Sequence, residues 1–424
     1  MRCEPFLYYV LIICLEATDL PMVYSPPMKP ASLYLHIPFC THRCSYCDFN
    51  TYAGLENQIP GYVRALRREI EYLGISAGER LPVHTLFFGG GTPSLLSPAQ
   101  LVEILEEVTN RFELLPGLEI TLEANPGTLS LAYLQALREA GINRLSLGMQ
   151  SANPAELRLL ERQHDYEDVA QSFHWARRAG FDNINLDLIF GLPYQSLPSW
   201  QQNLELALGL RPDHFSLYAL TLEHGTPMGH WVARGLLSEP DPDLAAEMYE
   251  WSADRLSQAG YQQYEISNWA RLDENGHLLA CKHNLQYWRN EPYFGLGAGA
   301  HGFAHGVRTA NVLSPAAYAQ RCASDFSNGN KPFPQTPATV DVRQIDRETE
   351  MGETMMMGLR LTEEGVSSKR FEARFGVSLE AAFDKPIRDL QRAGLLEWAG
   401  DAGEVLRLTQ RGRLLGNRVF MEFI

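Results

Sequence analysis

Three cysteines, Cys40, Cys44 and Cys47, are spaced C-x-x-x-C-x-x-C within SLYLHIPFCTHRCSYCDFN, residues 32–50. They follow a short apolar run, so the sequence predicts a loop after a strand. Iron–sulfur clusters of the cubane type normally take four cysteine thiolates. Three thiolates on one loop can hold such a cluster and leave one iron open for chemistry, as catalytic zinc sites keep one position open.

Zinc binding and buried free thiols are the alternative interpretations of these cysteines. His36 or His42 is close enough in sequence to supply a fourth zinc ligand. Structural zinc sites usually contain two C-x-x-C pairs, however, and the sequence has no second pair. The spacing therefore favours an iron–sulfur cluster over zinc.

Six apolar runs that predict strands alternate with amphipathic stretches that predict helices. The runs are rich in Leu, Ile and Phe, which is typical of parallel strands covered by helices. They are Leu33–Ile37, Thr85–Phe88, Glu119–Glu123, Arg144–Leu147, Ile184–Phe190 and His214–Leu220. Such an alternation predicts an α/β fold with a parallel barrel. Because six units are fewer than the eight that close a barrel, we predict a partial (β/α)6 barrel.

Local signals mark the ends of three of these helices. Ser97, followed by Gln100, forms a capping box with proline at the first helical position. Gly141 and Gly180 come directly after two other amphipathic stretches and are typical left-handed caps.

Polar residues and glycines follow the predicted strands, where the reactive residues of such barrels lie. The second strand ends in GGGTP, residues 89–93, and glycines allow the backbone to approach a ligand closely. The next three strands end at Glu123, Gln150 and Asp187. Carboxylates accept hydrogen bonds from hydroxyl groups. Turns, helix caps and surface ion pairs are the alternatives, but the register of these residues favours a ligand site.

The regular alternation ends near residue 222. Residues 247–258 predict a helix and YQQYEISNW, residues 261–269, predicts a strand. CKHNLQYW, residues 281–288, and the glycine-rich YFGLGAGAH, residues 293–301, follow. A histidine with two aromatic residues can bind a flat macrocycle, with imidazole on iron and rings against the macrocycle. Most such clusters are ordinary core or interface.

We divide the chain into four parts. Residues 1–30 form an extension whose apolar run, FLYYVLIICL, is shorter than the roughly twenty residues that span a bilayer. A mis-assigned start and a peripheral membrane anchor both remain open for it. Residues 31–235 form the barrel and residues 236–340 a connecting region. Residues 341–424 predict an α+β, winged-helix-like module of helices and a β-hairpin.

Composition and charge exclude several classes of function. The formal net charge is −15, from 36 Lys and Arg against 51 Asp and Glu, which disfavours broad binding to nucleic acids or anionic membranes. Seven cysteines, of which three are clustered and four scattered, do not predict a disulfide framework. They suit a reducing cytoplasm, where an oxygen-sensitive cluster survives. We therefore expect a cytoplasmic protein that does not bind nucleic acid.

The motifs HIPFC-x3-C-x-YC-DF, GGGTP, LEANP, GMQS and DLIFGLP together resemble those of the radical S-adenosylmethionine (SAM) superfamily. The resemblance implies a [4Fe–4S] cluster on the three loop cysteines, with SAM's methionine moiety on the open iron. An electron from the reduced cluster then cleaves the sulfonium to give a 5′-deoxyadenosyl radical. The SAM-binding residues that the resemblance implies are Tyr34, Gly90, Gly91, Thr92, Glu123, Gln150, Arg162 and Asp187.

Two of these roles follow from side-chain chemistry as well as from the resemblance. Arg162 is the candidate for SAM's carboxylate because a guanidinium fork matches a carboxylate. The carboxylates are implied to accept hydrogen bonds from the ribose hydroxyls. His36, near the cluster loop, is expected to support that loop.

Within the superfamily the chain resembles a family of haem chaperones related to oxygen-independent coproporphyrinogen III dehydrogenases. Phe49 stands where the dehydrogenases carry a fourth cysteine, and the motif HN-x-x-YW is thought to hold haem in the chaperones. The implied haem contacts are His283, Asn284, Tyr287 and Trp288. We therefore expect haem as cargo, a haem-accepting protein such as a respiratory haem enzyme, and an electron donor for the cluster.

Two other functions stay open. The first is the dehydrogenase reaction, in which propionates of coproporphyrinogen III are oxidatively decarboxylated to vinyl groups; Phe49 counts against it. The second is SAM-dependent modification of a nucleic acid that the winged-helix-like module binds. The net negative charge disfavours this function.

Overall fold

The computed structural model describes residues 29–323, 331–401 and 403–424. The apolar run at residues 6–15 lies outside the described residues. The first half of the described chain contains, in order, β1 (Ala31–Ile37), β2 (Phe39–Cys40), β3 (Tyr52–Ala53), α1 (Ile59–Ser76), β4 (Pro82–Gly90), α2 (Pro98–Arg111), β5 (Glu113–Ala124), α3 (Leu131–Glu139), β6 (Arg144–Gln150), α4 (Pro154–Leu159), α5 (Tyr166–Arg178), β7 (Ile184–Phe190), α6 (Leu197–Gly209) and β8 (His214–Ala219).

The second half adds shorter strands and a group of terminal helices. Its elements are α7 (Pro227–Ala233), α8 (Pro242–Gln258), β9 (Gln262–Glu265), β10 (Asn268–Ala270), α9 (Lys282–Trp288), β11 (Tyr293–Leu296), β12 (His301–Ala304), β13 (Val307–Asn311), α10 (Pro315–Ala323), β14 (Thr339–Gln344), α11 (Arg347–Gly358), β15 (Val366–Ser367), α12 (Ser368–Phe375), α13 (Leu379–Arg392), β16 (Leu396–Ala399), β17 (Val405–Leu408), α14 (Gln410–Leu414) and α15 (Gly416–Phe420). No helix in the described ranges is both long and apolar enough to cross a membrane.

The predicted partial barrel is confirmed. Strands β1, β4, β5, β6, β7 and β8 lie side by side in chain order, and every adjacent pair is parallel. On β1, Leu33 and Leu35 are fully buried in the core, whereas Tyr34 and His36 point to the opposite face, the barrel interior. Because the side chains of a strand alternate between its two faces, one set packs into the apolar core and the other faces the barrel interior.

The predicted helix ends are present. Ser97 and Gln100 form the capping box that begins α2. Gly141 and Gly180 have φ of 99° and 88° directly after α3 and α5, where residues with a Cβ would be strained.

The sheet extends beyond the barrel on both sides. β11 pairs in parallel with the free side of β1, and β12, β13 and β14 follow it as antiparallel neighbours. At the opposite edge, β10 and β9 continue from β8. The predicted connecting region 236–340 thus supplies strands to both edges of the sheet, and the predicted boundary after residue 340 falls inside β14.

One predicted strand is wrong in its extent. Residues 261–269 form an antiparallel hairpin of β9 and β10 rather than one strand. The carboxylate of Glu265 accepts a hydrogen bond from the backbone N–H of Ser267 at 3.0 Å and another from the Asn268 side chain, which stabilises the turn.

The C-terminal module has the predicted winged-helix-like arrangement. Helix α11 is followed by β15, α12, α13 and the hairpin of β16 and β17, and the three strands pair in the order β15-β17-β16. The module has its own apolar core, which includes Met355, Phe371 and Leu406. It contacts the end of α9, in the connecting region, through an ion pair of Arg289 with Glu364 at 2.7 Å.

Candidate functional site at the barrel mouth

The cysteine loop lies at the carboxyl ends of the barrel strands. It leaves β2 at Cys40 and returns in β3, which pairs with β2. Asn50 fixes the returning arm, since its side-chain nitrogen donates hydrogen bonds to the carbonyls of Ala298 and Leu313, each at 3.0 Å. His36 Nε2 lies 2.9 Å from the carbonyl oxygen of Asn50, so His36 supports the loop in the way the sequence predicts.

Each of the three cysteine sulfurs has a polar neighbour from a different element. Thr92 Oγ1 lies 3.6 Å from Cys40 Sγ and Thr51 Oγ1 lies 3.9 Å from Cys47 Sγ. The third sulfur, on Cys44, is 3.6 Å from a guanidinium nitrogen of Arg162. Burial raises the pKa of the Cys40 and Cys47 thiols. A metal would therefore be needed to keep these two sulfurs as thiolates at neutral pH.

Glycines pack where the second barrel strand meets the loop. A Cβ on Gly91 would stand 2.6 Å from the Phe39 carbonyl oxygen and 3.0 Å from Cys40 Sγ. Gly90 has φ of 114° and packs against the His36 ring. Larger residues here would displace His36 or the first cysteine. Close packing, and not only the turn, therefore requires glycine at both positions.

A cavity of about 420 Å³ opens above the loop. It is lined by all three loop cysteines and by seven of the eight residues predicted to bind SAM: Gly90, Gly91, Thr92, Glu123, Gln150, Arg162 and Asp187. The eighth, Tyr34, is not among the lining residues; its hydroxyl lies 3.0 Å from His36 Nδ1. Polar residues that are far apart in sequence, and that were selected because they follow the predicted strands, therefore line one cavity.

Two half-buried carboxyl groups, those of Glu123 and Asp187, face this cavity from β5 and β7. Glu123 accepts a hydrogen bond from the Gly90 N–H at 3.1 Å. Burial, with a smaller contribution from Asp187, raises the pKa of Glu123 to about 8. Burial also raises the pKa of Asp187, although Ser146 and Asn185 each donate a hydrogen bond to it at 2.8 Å. One of the two groups can thus carry a proton at neutral pH and donate as well as accept.

Arg162 and Gln150 complete the polar wall. The Arg162 guanidinium contacts the side-chain oxygen of Asn125 and, at 3.0 Å, the carbonyl of Gly148, besides Cys44. Gln150 has φ of 62°, at a point where the pairing of β6 with β7 is irregular. Strained non-glycine backbone of this kind concentrates at functional sites.

Sequence reasoning missed several residues of the cavity. Asn125 follows Glu123 in LEANP and contacts Arg162. Tyr218 lines the cavity from the end of β8 and is 44% exposed. The strand-end rule, applied to the sixth strand, would have found Tyr218. Phe49, noted only as a replacement for cysteine, lines the mouth of the cavity and is 63% exposed.

The predicted haem motif lies elsewhere, at the amino ends of the barrel strands. Helix α9 begins there on the carboxylate of Glu119, which accepts hydrogen bonds from the N–H groups of Lys282 and His283, each at 3.1 Å. The His283 ring is 1% exposed; its Nδ1 is 2.8 Å from Thr85 Oγ1 and its Nε2 is 3.0 Å from Tyr287 OH. Burial lowers the pKa of His283 to about 3, so the ring is neutral.

The other residues of the motif face different neighbours. Tyr287 packs edge-on against Tyr293, with ring centroids 4.6 Å apart. Trp288 lies under the guanidinium of Arg360 from the C-terminal module, 4.4 Å from the ring centroid. Asn284 is half-buried and makes no side-chain hydrogen bond within the described ranges. None of the four motif residues lines the cavity that the cysteines share.

The donor set at the mouth fits a cubane cluster. In the described part of the chain, no three His, Cys, Asp or Glu side chains are placed to bind a single ion. A cubane makes a different demand, because each thiolate binds a separate iron and the sulfurs need not converge on one atom. Cys40, Cys44 and Cys47 would hold such a cluster, and with SAM bound it would supply one-electron radical chemistry. A three-cysteine loop over a partial parallel barrel defines the class: this is a radical SAM protein.

Comparisons with known proteins refine this class. The radical SAM superfamily model matches residues 34–207, and the HemN C-terminal domain model matches residues 345–415. Heme chaperone HemW of Bacillus subtilis is 40% identical over 93% of this chain and 99% of that protein. HemW of Lactococcus lactis is 36% identical over 93% of this chain and 98% of that protein. The chain belongs to the HemW family.

A solved structure agrees with this placement. Coproporphyrinogen III oxidase (HemN) from Escherichia coli superimposes with a TM-score of 0.77 at 25% identity, covering 94% of this chain and 90% of that one. The fold therefore matches over both the barrel and the C-terminal module.

Proposed function

We propose that this protein is a haem chaperone: it binds haem and delivers it to a haem-dependent enzyme, such as a respiratory one. It carries a [4Fe–4S] cluster on Cys40, Cys44 and Cys47 and binds SAM in the adjoining cavity. The observation that supports the cofactor part is the cavity itself, which is lined by three sulfurs and two half-buried carboxyl groups. The haem part is supported by likeness to HemW proteins along nearly the whole chain.

In this proposal the chain positions its cofactors with few groups. Thr92, Thr51 and Arg162 donate toward the sulfurs, and hydrogen bonds to sulfur are one of the levers that set cluster potential. Glu123 and Asp187 accept from SAM's hydroxyl groups. The Arg162 guanidinium already contacts Asn125, Gly148 and Cys44, so binding a SAM carboxylate requires it to exchange one of these partners.

The predicted haem contacts His283, Asn284, Tyr287 and Trp288 stay a prediction. With both ring nitrogens of His283 bound to Thr85 and Tyr287, iron binding there requires α9 to leave the barrel base. A reduced electron donor and a haem-accepting protein complete the proposed cycle. We place the protein in the cytoplasm, where thiolates stay reduced, with membrane contact at most peripheral and no role for nucleic acid.

Anaerobic reconstitution with iron and sulfide tests this proposal. We expect about four irons per chain, stoichiometric haem binding in a spectroscopic titration, and no protoporphyrinogen from coproporphyrinogen III plus SAM and reductant. Formation of protoporphyrinogen would assign the protein to the dehydrogenase reaction instead. Absence of haem binding by the reconstituted protein would reject the chaperone function.

A further inference from the structure

A chain of hydrogen bonds crosses the barrel interior below the cavity and ends on Asp187. On β7, Asn185 and Asp187 share one face of the strand, which looks into the barrel. Asn185 pairs with Ser146 on β6 and with His214 on β8, so the three side chains lie side by side on that face. All three are at most 5% exposed. Their hydrogen bonds must therefore be made within the protein.

The direction of this chain is set at both of its ends. At the base, the backbone N–H of Cys281 donates to the hydroxyl oxygen of Tyr264 at 3.3 Å. A backbone N–H can only donate, so this oxygen accepts, and its own hydrogen is left to donate to His214 Nε2 at 2.8 Å. At the mouth, an ionised Asp187 can only accept, and Asn185 Nδ2 lies 2.8 Å from its Oδ1.

His214 transmits this direction because its ring is neutral. Burial, with a smaller contribution from Arg144, lowers the pKa of His214 well below its ordinary value. A neutral imidazole has one donor nitrogen and one acceptor nitrogen. Since Nε2 accepts from Tyr264, Nδ1 carries the proton and donates to Asn185 Oδ1 at 2.6 Å. The amide nitrogen of Asn185 is thereby turned toward Asp187.

The two carboxyl groups of the cavity differ in the donors that reach them. Asn185 donates to one oxygen of Asp187 and Ser146 donates to the other, each at 2.8 Å. Burial raises the pKa of Asp187, and these hydrogen bonds oppose that rise. Within the described ranges Glu123 has one donor, the N–H of Gly90. The hydrogen bonds therefore favour a negative charge on Asp187 over one on Glu123.

Four other ionisable groups face Asp187. They are Glu123 from β5, Arg144 from β6, Tyr218 from the end of β8 and Tyr46 from the cysteine loop. Arg144 is the single Lys or Arg in the six barrel strands, and its positive charge also favours an ionised Asp187. Phenols are neutral at neutral pH, and Glu123 keeps its proton there because burial raises its pKa to about 8. These surroundings leave Asp187 as the charged member of the pair.

We propose that His214 and Asn185 are positioning residues of the SAM site, which hold Asp187 as the charged acceptor for a ribose hydroxyl group. This inference rests on the proposed function, in which Asp187 binds SAM. Asn185 acts on Asp187 directly. His214 acts through Asn185, whose amide would otherwise be free to turn its oxygen toward the carboxylate. An amide oxygen there repels an ionised acid, so the hydroxyl group would lose its charged acceptor at neutral pH.

Two substitutions of His214 test this positioning role. The amide of Asn ends near the place of Nδ1 and that of Gln near the place of Nε2, so His214→Asn keeps a donor for Asn185 and His214→Gln does not. The probe is 5′-deoxyadenosine, which has the ribose hydroxyl groups of SAM but neither its amino nor its carboxyl group. The pH dependence of its binding therefore comes from the protein.

We measure binding of this probe to the reconstituted full-length protein across a range of pH. We expect His214→Gln to weaken binding about tenfold at pH 7 and to recover part of the affinity as the pH rises, because Asp187 then ionises without its donor. His214→Asn should restore most of the lost affinity at pH 7.

The same substitution of another histidine gives the matched control. His84 is half-buried, and its Nε2 lies 2.8 Å from the side-chain oxygen of Gln286, but it has no hydrogen bond to any member of the chain that ends on Asp187. We expect His84→Gln to bind the probe as the wild type does at each pH. Denaturant unfolding of every variant measures any loss of stability separately.

Wild-type affinity and pH dependence in His214→Gln would overturn the positioning role. Equal loss of binding in His214→Asn and His214→Gln would overturn it as well, because a structural defect does not distinguish the two amides. If His214→Gln does not fold, Tyr264→Phe removes the donor to Nε2 and keeps the ring; we expect a smaller loss with the same pH dependence, and unchanged binding would refute the proposal. If the wild-type protein binds neither SAM nor 5′-deoxyadenosine, the proposed SAM site itself fails, and that result differs from a failure of the positioning role alone.

Discussion

The two ends of the barrel are built from the same strands but treat their polar groups in opposite ways. At the mouth, half-buried carboxyl groups have raised pKa values, Gln150 has a strained backbone, and the side chains line a cavity. At the base, α9 closes the barrel, and Glu119 and His283 have their hydrogen-bonding groups matched by close neighbours. The comparison teaches that the polar groups of the mouth face an open cavity, whereas Glu119 and His283 at the base are matched by close neighbours and hold the fold.

Substitution of a cysteine at the mouth tests whether this end of the barrel serves cofactor binding more than stability. We expect Cys44→Ala to lose most of its bound iron after anaerobic reconstitution, while its unfolding free energy changes by less than about 1 kcal/mol, because Cys44 is half-exposed. Iron assay and denaturant unfolding measure the two effects. The buried Cys322, which does not line the cavity, gives the control Cys322→Ala, which should keep its iron. Full iron in Cys44→Ala would contradict a three-cysteine site.

Substitution of a residue at the base of the barrel should lower stability and leave the iron content unchanged. His283→Ala removes two hydrogen bonds and the ring that stacks on Phe87, with centroids 5.0 Å apart. We expect the unfolding free energy to fall by about 3 kcal/mol, with normal iron content in the folded protein. Asn284→Ala, on the same helix but half-buried, should change stability by less than about 0.5 kcal/mol. A His283→Ala protein as stable as the wild type would refute a structural role for the base.

The half-buried carboxyl groups of the mouth, on Glu123 and Asp187, should have a smaller, pH-dependent effect on the free energy of unfolding. Since the pKa of Glu123 is raised to about 8, the folded protein keeps a proton that the unfolded chain releases above about pH 5. Stability of the cluster-free protein therefore falls as pH rises through this window, by at most about 1.4 kcal/mol per pH unit from this group. Asp187 contributes in the same direction. Urea unfolding should show that the unfolding free energy of Glu123→Gln depends less steeply on pH across this window than that of the wild type. An unchanged dependence on pH would contradict the assigned pKa.

Much of the mouth could be predicted from sequence because its signals are local. The cysteine spacing, the run GGGTP and the residues at the strand ends each depend on a few neighbouring positions, and the parallel barrel then brings them together. Tyr218 was missed because the strand-end rule was not applied to the sixth strand, where the residue is aromatic and not a carboxylate or an amide.

The base could not be predicted in the same way. The motif at residues 281–288 predicts a haem contact, but the local pattern does not reveal that Glu119 and Thr85 bind this segment from inside the barrel. The pairing of β11 with β1 joins Ser32 to Tyr293, and no short-range pattern indicates it. Contacts between residues so distant in the chain depend on the finished sheet.

This pairing has a consequence for synthesis of the protein on the ribosome. β1 precedes β11 in the chain by more than 250 residues, so one of its two edges is unpaired until β11 has emerged, and the hydrogen bonds of Asn50 also wait for Ala298 and Leu313. A nascent chain stopped before that point carries an apolar strand with an open edge, which favours aggregation. Iron loading is therefore best postponed until Leu313 has emerged, and a chain truncated within the connecting region should be degraded rather than matured.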